Sequence, residues 1–277
     1  MELERAAHPQ SGAATVEVAL EAGRSVVRRL RAESPLRVLT PRSVGGHAAW
    51  VVASSFGGGI VEGDSIRLDV TVRQGATALL TTQASTKVYR SADRAASQHT
   101  TLTVEANALA VSLPDHVTSF AHARFDQRAA IALADTTSSL VWLDLQSAGR
   151  SARGERWDFA HLATSLDVRR AGRLLVRDAL VLNPAHGDVR ARLGRFDAIG
   201  TVLILGDRFA GVRERLLDRQ PPPRPSDDVV STASPIARDG VMLRFAATDV
   251  ASALAFVRAR LAFVTDAIGA DPWARKY

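Results

Sequence analysis

The sequence predicts a mainly β protein, with stacked sheets in a β-helix-like (solenoid) architecture and two α-helices in its C-terminal part. Three observations carry this reading. Most of the chain alternates apolar and polar residues with period two, as half-buried strands do. Similar strand–turn–strand segments recur roughly every thirty residues. Only two stretches, both beyond residue 200, hold apolar residues at helical spacing.

Residues 1–13 are polar and mixed in charge, and read as a flexible tail ahead of a single domain, 14–277. Ala14–Leu20 (ATVEVAL), Ser65–Val72 (SIRLDVTV), Thr101–Glu105 and Leu162–Arg169 place β-branched or aliphatic residues at every second site and read as strands. The repeat begins at Gly75, Asn107 and Ser138, each followed by a second small residue and then a strand. Stacked equivalent units give this spacing; a β-sandwich with evenly spaced hairpins gives it as well. Arg208–Asp218 reads as a short helix. Asp249–Ile268 reads as a longer one, with Val250, Leu254, Val257, Leu261, Val264 and Ile268 forming a stripe that packs on a sheet. Between them, RQPPPRPSDD (219–228) reads as a proline-rich surface loop.

Composition narrows the function classes. At 277 residues and 46% hydrophobic content the chain can bury a sizeable core. The absence of cysteine excludes disulfides, thiolate metal sites and a cysteine nucleophile. No apolar run has the length of a secretion signal or a membrane span, so a cytoplasmic protein without a membrane partner is expected. The formal net charge of +6 comes almost wholly from arginine, since lysine occurs only at Lys87 and Lys276. Those arginines are interleaved with acids and aromatics make up 5% of the chain, so no base-stacking platform or basic helix stands out and no nucleic-acid partner is expected.

The stretch FGGGIVEGD (56–64) is rich enough in glycine to suggest a phosphate cradle. A P-loop needs a lysine after its last glycine and then a helix. Here Gly63 is followed by Asp64 and a strand, so Gly57, Gly58, Gly59 and Gly63 serve turns or close backbone approach.

This stretch, followed by Gly75-Ala76 and by Leu80-Thr81-Thr82-Gln83-Ala84-Ser85-Thr86-Lys87-Val88-Tyr89-Arg90, resembles the urease accessory protein UreD (UreH) family. The likeness continues through Trp142-Leu143-Asp144, Gly154-Glu155, Leu174-Leu175-Val176 and a terminal helix followed by Pro272-Trp273. Two departures stand out. Val111-Ser112-Leu113-Pro114-Asp115 lacks the glutamate and tryptophan common there in the family, and Arg177 stands where members often carry glutamate.

The resemblance implies a non-catalytic scaffold in urease maturation. Such a scaffold binds the urease apoprotein and UreF-type and UreG-type accessory proteins, and assists delivery of nickel. It implies no resident cofactor beyond nickel in transit. Family proposals of an internal passage make Asp64, Thr86 and Asp144 the candidate lining residues here. Asp64 also fits a plain turn cap, and Thr86 a structural strand hydroxyl. Asp144, in the apolar strand VWLDLQ, needs a partner or a wet cavity unless it points outward. Lys87 either pairs with Asp64 or Glu62 to pin the glycine turn or contacts a partner. Tyr89 packs its ring; Thr81, Thr82 and Arg90 complete the motif. The histidines (His116, His122, His161, His186) show no metal-binding spacing, so no firm metal site is expected. A carbohydrate-active enzyme on a β-solenoid is the alternative, against which the low aromatic content counts.

Overall fold

The computed structural model describes residues 11–41, 46–55, 58–218 and 222–274. Gly57, and residues 1–10 of the expected tail, lie outside them; residues 11–13 already belong to the first strand. In chain order the first strands are β1 (Ser11–Glu21), β2 (Arg24–Glu33), β3 (Leu36–Leu39), β4 (Ala49–Ser55), β5 (Ser65–Val72), β6 (Thr77–Thr82) and β7 (Thr86–Val88). They are followed by β8 (Ala96–Val104), β9 (Leu109–Ser112), β10 (Val117–Ser119), β11 (Arg124–Leu133), β12 (Ser139–Ser147), β13 (His161–Arg170) and β14 (Arg173–Leu182). Helix α1 (Val189–Leu193), β15 (Ala198–Leu205), α2 (Ala210–Leu217), β16 (Val229–Ile236), β17 (Gly240–Ala247), α3 (Val250–Arg260) and α4 (Phe263–Ile268) complete the order.

The strands form two sheets. One has seven strands in the order β14-β13-β11-β8-β5-β1-β2; the other has ten, following β16-β17-β15-β12-β9-β6-β4-β3 with β7 and β10 beside that path. The middle of each sheet is parallel. Thr77 of β6 faces Leu109 of β9, and Leu109 faces Ser139 of β12, so the sequence repeat is the strand register itself. In the seven-stranded sheet the same shift pairs Ser65 with Ser97. Antiparallel strands flank this parallel middle: β2 and β14 in one sheet, β3 and β15–β17 in the other. The mainly β class holds, with 51% strand. The coils are two faced sheets with antiparallel ends, a coarser arrangement than the continuous solenoid expected.

Burial explains the layering. Strand β6 (TALLTT) is buried along five of its six residues and β12 is buried everywhere except Asp144. Both faces of the middle of the ten-stranded sheet are therefore covered, as in sheets with layers on each side, while the edge strand β16 has no buried residue. On one face Val51, Leu80, Ala110, Leu140 and Leu203 meet Val16, Val70, Leu102, Ile131 and Val168 of the other sheet. On the opposite face Leu79, Val111, Leu143 and Val202 meet Leu216, Val257, Leu261, Val264 and Ile268 of the helices. A third cluster around Phe125, Phe159 and Trp157 fills one end of the space between the sheets. The seven-stranded sheet keeps its outer face in solvent, hence the alternation in β5 and β8.

The helical part departs from expectation in two ways. The helix read over 249–268 is two, α3 and α4, separated at Leu261-Ala262, where Val264 N–H bonds to the Leu261 carbonyl at 2.9 Å in a tighter i→i+3 turn. Leu261 and Val264 are still buried, so the apolar stripe runs through the break and hides it from the sequence. Helix α1 was not expected, and the described residues hold four helices rather than two. The described part of the proline-rich loop, 222–228, has neither strand nor helix and is mostly exposed. No helix among the described residues is long and apolar enough to cross a membrane.

Candidate functional site: a polar seam between the sheets

The two halves of the sequence motif touch. Ile60 N–H donates to the Lys87 carbonyl at 2.8 Å and Tyr89 N–H donates to the Ile60 carbonyl at 2.9 Å. A Cβ on Gly59 would strike the Tyr89 ring and lie 2.7 Å from the Lys87 carbonyl oxygen, so glycine is required there by close approach. Gly58 and Gly63 turn the chain with φ of +75°. Asp64 is buried, and its Oδ2 accepts the Val61 N–H at 2.9 Å across the turn. Its carbonyl accepts Ser97 N–H at 2.8 Å, tying the turn to β8. The turn-capping reading of Asp64 accounts for these bonds.

Glu62 has a part that the sequence reading did not give it. Its carboxylate accepts the N–H groups of Ala92, Asp93 and Arg94 at 3.1, 2.9 and 2.8 Å, which hold its pKa down at about 2. A folded-state pKa below the unfolded one stabilises above the unfolded value and is lost as pH falls toward 2. Glu62→Ala is therefore expected to speed amide hydrogen exchange at 92–94 at neutral pH. That difference from wild type should shrink as pH falls from about 4.5 toward 2. Equal exchange at neutral pH would contradict the assignment.

Lys87 does not pin the glycine turn. Glu62 is taken by backbone amides and Asp64 by the turn, while Lys87 is exposed and makes no ion pair among the described residues. Thr81 Oγ1 donates to the Leu113 carbonyl at 2.6 Å, and Asp115 N–H donates to Thr82 Oγ1 at 2.8 Å, joining β6 to the segment after β9. Tyr89 packs edge-on against Phe120, centroids 5.3 Å apart. Arg90 is exposed and bridges through its backbone to Ala123. Thr86 opens β7, opposite Val117, and lines a cavity of about 270 Å³ with Thr82, Gln98 and Ile66.

Asp144 sits elsewhere along the same space. It faces a cavity of about 230 Å³ between the sheets, with Trp142 and Gln146 of its own strand, Thr164 of β13, Asp178 of β14 and Arg244 of β17. Its Oδ1 accepts the amides of Gln146 at 2.9 Å and Gln127 at 3.2 Å, and Gln146 Nε2 also donates to Gln127 Oε1 at 3.2 Å. Among the described residues the one guanidinium lining the cavity, Arg244, pairs with Asp178 at 2.7 Å. The ion-pair and outward readings of Asp144 are thus both set aside: it faces an intersheet cavity of mixed lining, with Leu166, Ile199 and Phe245 beside the polar groups, and is held by neutral amides. Burial pushes its carboxyl pKa upward, and the Gln146 and Gln127 amides pull part of the way back. Gln146 is 3% exposed and its Oε1 has no hydrogen-bond partner among the described residues.

Gln98, Gln127 and Thr164 occupy matched positions on β8, β11 and β13. They run from the first cavity, lined by Gln98, to the second, lined by Thr164 and Asp144. A polar seam thus crosses the intersheet space. The three candidates separate: Thr86 and Asp144 line cavities at its two ends, and Asp64 does not line either. Gln98, Gln127 and Gln146 were missed, although alternation places Gln98 and Gln127 on the inner face of their strands.

A raised carboxyl pKa carries a sign. The charged form is disfavoured in the fold, so this group destabilises progressively as pH rises from the ordinary aspartate range through its folded pKa. Asp144→Asn lacks that loss. Its stability relative to wild type is expected to improve between acid and neutral pH, measured as the difference in Tm. A gap that narrows as pH rises would contradict the assignment.

A profile of the family described as UreD urease accessory protein matches residues 10–276. The chain is 47% identical over 256 residues to a urease accessory protein UreD of Sorangium cellulosum, covering 92% of this chain and 81% of that one. It is 44% identical over 269 residues to the protein of the same name from Anaeromyxobacter, covering 96% and 90%. It is 30% identical over 303 aligned positions to the urease accessory protein D of Oryza sativa subsp. japonica, covering 98% and 97%.

Proposed function

The chain belongs to the UreD family of urease accessory proteins and serves urease maturation, and from that premise we propose that it is a non-catalytic scaffold. It holds the urease apoprotein together with UreF-type and UreG-type accessory proteins, and nickel reaches urease through its intersheet seam. The observation that carries this reading is Asp144, a carboxyl group facing the intersheet cavity whose side-chain partners, among the described residues, are neutral glutamine amides. Nickel(II) accepts carboxylate, amide-carbonyl and water oxygens. A carboxylate already neutralised by arginine would offer it little. One held by neutral amides has no competing cation, so an arriving nickel ion takes its oxygens and releases any proton that burial keeps there.

Among the described residues no three His, Cys, Asp or Glu side chains gather into a metal cluster. The reading accordingly assigns transit with exchangeable contacts rather than storage. Asp144, Gln127, Gln146 and Thr164 supply oxygens along the route, and Thr86 and Gln98 supply them at the other cavity. The test is co-purification. The tagged chain, co-expressed with the urease subunits and the UreF-type and UreG-type proteins, is expected to retain all of them on one column. Omitting the chain should break the link between urease and the UreG-type protein. Retention of that link without the chain would refute the scaffold.

A further inference from the structure

Lys87 belongs to the motif through its backbone, yet its side chain has no structural partner among the described residues. The expected partners, Asp64 and Glu62, are engaged elsewhere, and its ammonium makes no ion pair among the described residues. It stands on the rim of an open notch of about 400 Å³ whose other walls are Tyr89, Thr118, Phe120, Arg150 and Arg153. The floor is aromatic, with Tyr89 edge-on to Phe120 at 5.3 Å and 85°. Arg150 stacks on Phe120 with its guanidinium carbon 4.3 Å from the ring centre. No acid is among the described residues that line the notch, and Arg150 is neutralised from behind by Glu155, to which it donates Nε–H to Oε2 at 2.9 Å and Nη2–H to Oε1. Arg153, like Lys87, is exposed and unpaired among the described residues.

The notch therefore offers two uncompensated cations around an aromatic floor whose shape is fixed by the Arg150–Glu155 pair. The two free cations differ in kind. Lysine is a compact, well-hydrated charge on a flexible stem, suited to a contact that forms and breaks, while arginine forks onto carboxylates. We infer that this notch docks an acidic segment of a protein partner, its carboxylates against Lys87 and Arg153 and an apolar or aromatic side chain against Tyr89 and Phe120. Charge complementarity chooses the occupant: an anionic peptide gains from the open cations, and a basic one is repelled. The inference rests on the scaffold reading for the partner's identity alone; the notch rests on the residues that build it.

The experiment compares three full-length proteins: wild type, Lys87→Glu/Arg153→Glu, and the control Arg67→Glu/Arg128→Glu. The control makes the same charge change at two exposed arginines on the outer face of the seven-stranded sheet. The probe is a synthetic hexapeptide with four acids flanking a phenylalanine, followed by fluorescence polarisation at low salt. The notch variant is expected to bind it about tenfold more weakly than wild type, the control within about twofold, and the wild-type affinity to fall with salt. Equal weakening in both variants, or none in the notch variant, overturns the proposal. A second arm repeats the co-purification with the urease components. If wild type retains them and the notch variant does so equally, the docking role fails while the scaffold stands. If wild type retains none, the scaffold reading fails and the peptide arm alone decides the notch.

Discussion

Asp144→Leu is expected to leave this chain folded and assembled while urease matured in its presence loses most of its nickel. The structural cost is small because opposing terms offset. The substitution strands two glutamine donors, each loss worth about 1–3 kcal/mol when buried. It also removes a carboxylate whose charged form is disfavoured by burial. The carboxyl oxygens in the seam, by contrast, disappear altogether, and a leucine narrows a cavity of about 230 Å³. Soluble yield, co-purified partners and nickel per urease active site, measured on one preparation, separate the possibilities. Normal nickel loading removes Asp144 from the route. Loss of soluble protein shows that its bonds to Gln127 and Gln146 matter to the fold more than this account allows.

Gly59→Val is expected to destabilise the protein by about 3 kcal/mol or more, lowering Tm by roughly 6–12 °C for a chain of this size. The new side chain would meet the Tyr89 ring and the Lys87 carbonyl, which is backbone and cannot swing aside. Relief requires parting Ile60 from β7, which breaks the hydrogen bonds at 2.8 and 2.9 Å. Gly58→Ala is the control. A Cβ there meets nothing within 4 Å among the described residues, so its cost is the positive φ, about 1 kcal/mol. Equal Tm values for the two variants would show that the glycines serve turn conformation alone and that the contact between the motif halves is not what requires Gly59.

The repeat was legible because its period is a physical register. Gly75, Asn107 and Ser138 precede strands that lie side by side, and a strand that returns every thirty or so residues repeats its small turn residue and its inward aliphatics. The break in the C-terminal helix was not legible, since neither glycine nor proline marks Leu261-Ala262 and the apolar spacing continues across it. Asp144 was legible as an acid in an otherwise apolar strand, but its partners were not. Gln127 and Gln146 belong to different sheets, and only the facing of the sheets brings them to one carboxylate. Lys87 shows the converse. Two nearby acids in the sequence made an ion pair a natural expectation, yet both turned to backbone N–H groups, which offer a carboxylate several donors at once.

The central claim is that this chain is required to bring nickel into urease. Its most direct test is the nickel content of urease purified from cells carrying the urease subunits and every other accessory protein, with this chain present or deleted. The account predicts nickel near full occupancy with the chain and urease protein of normal yield but nearly metal-free without it, restored when the chain is supplied from a plasmid. Urease equally loaded with nickel in both strains, at the same external nickel concentration, would contradict it.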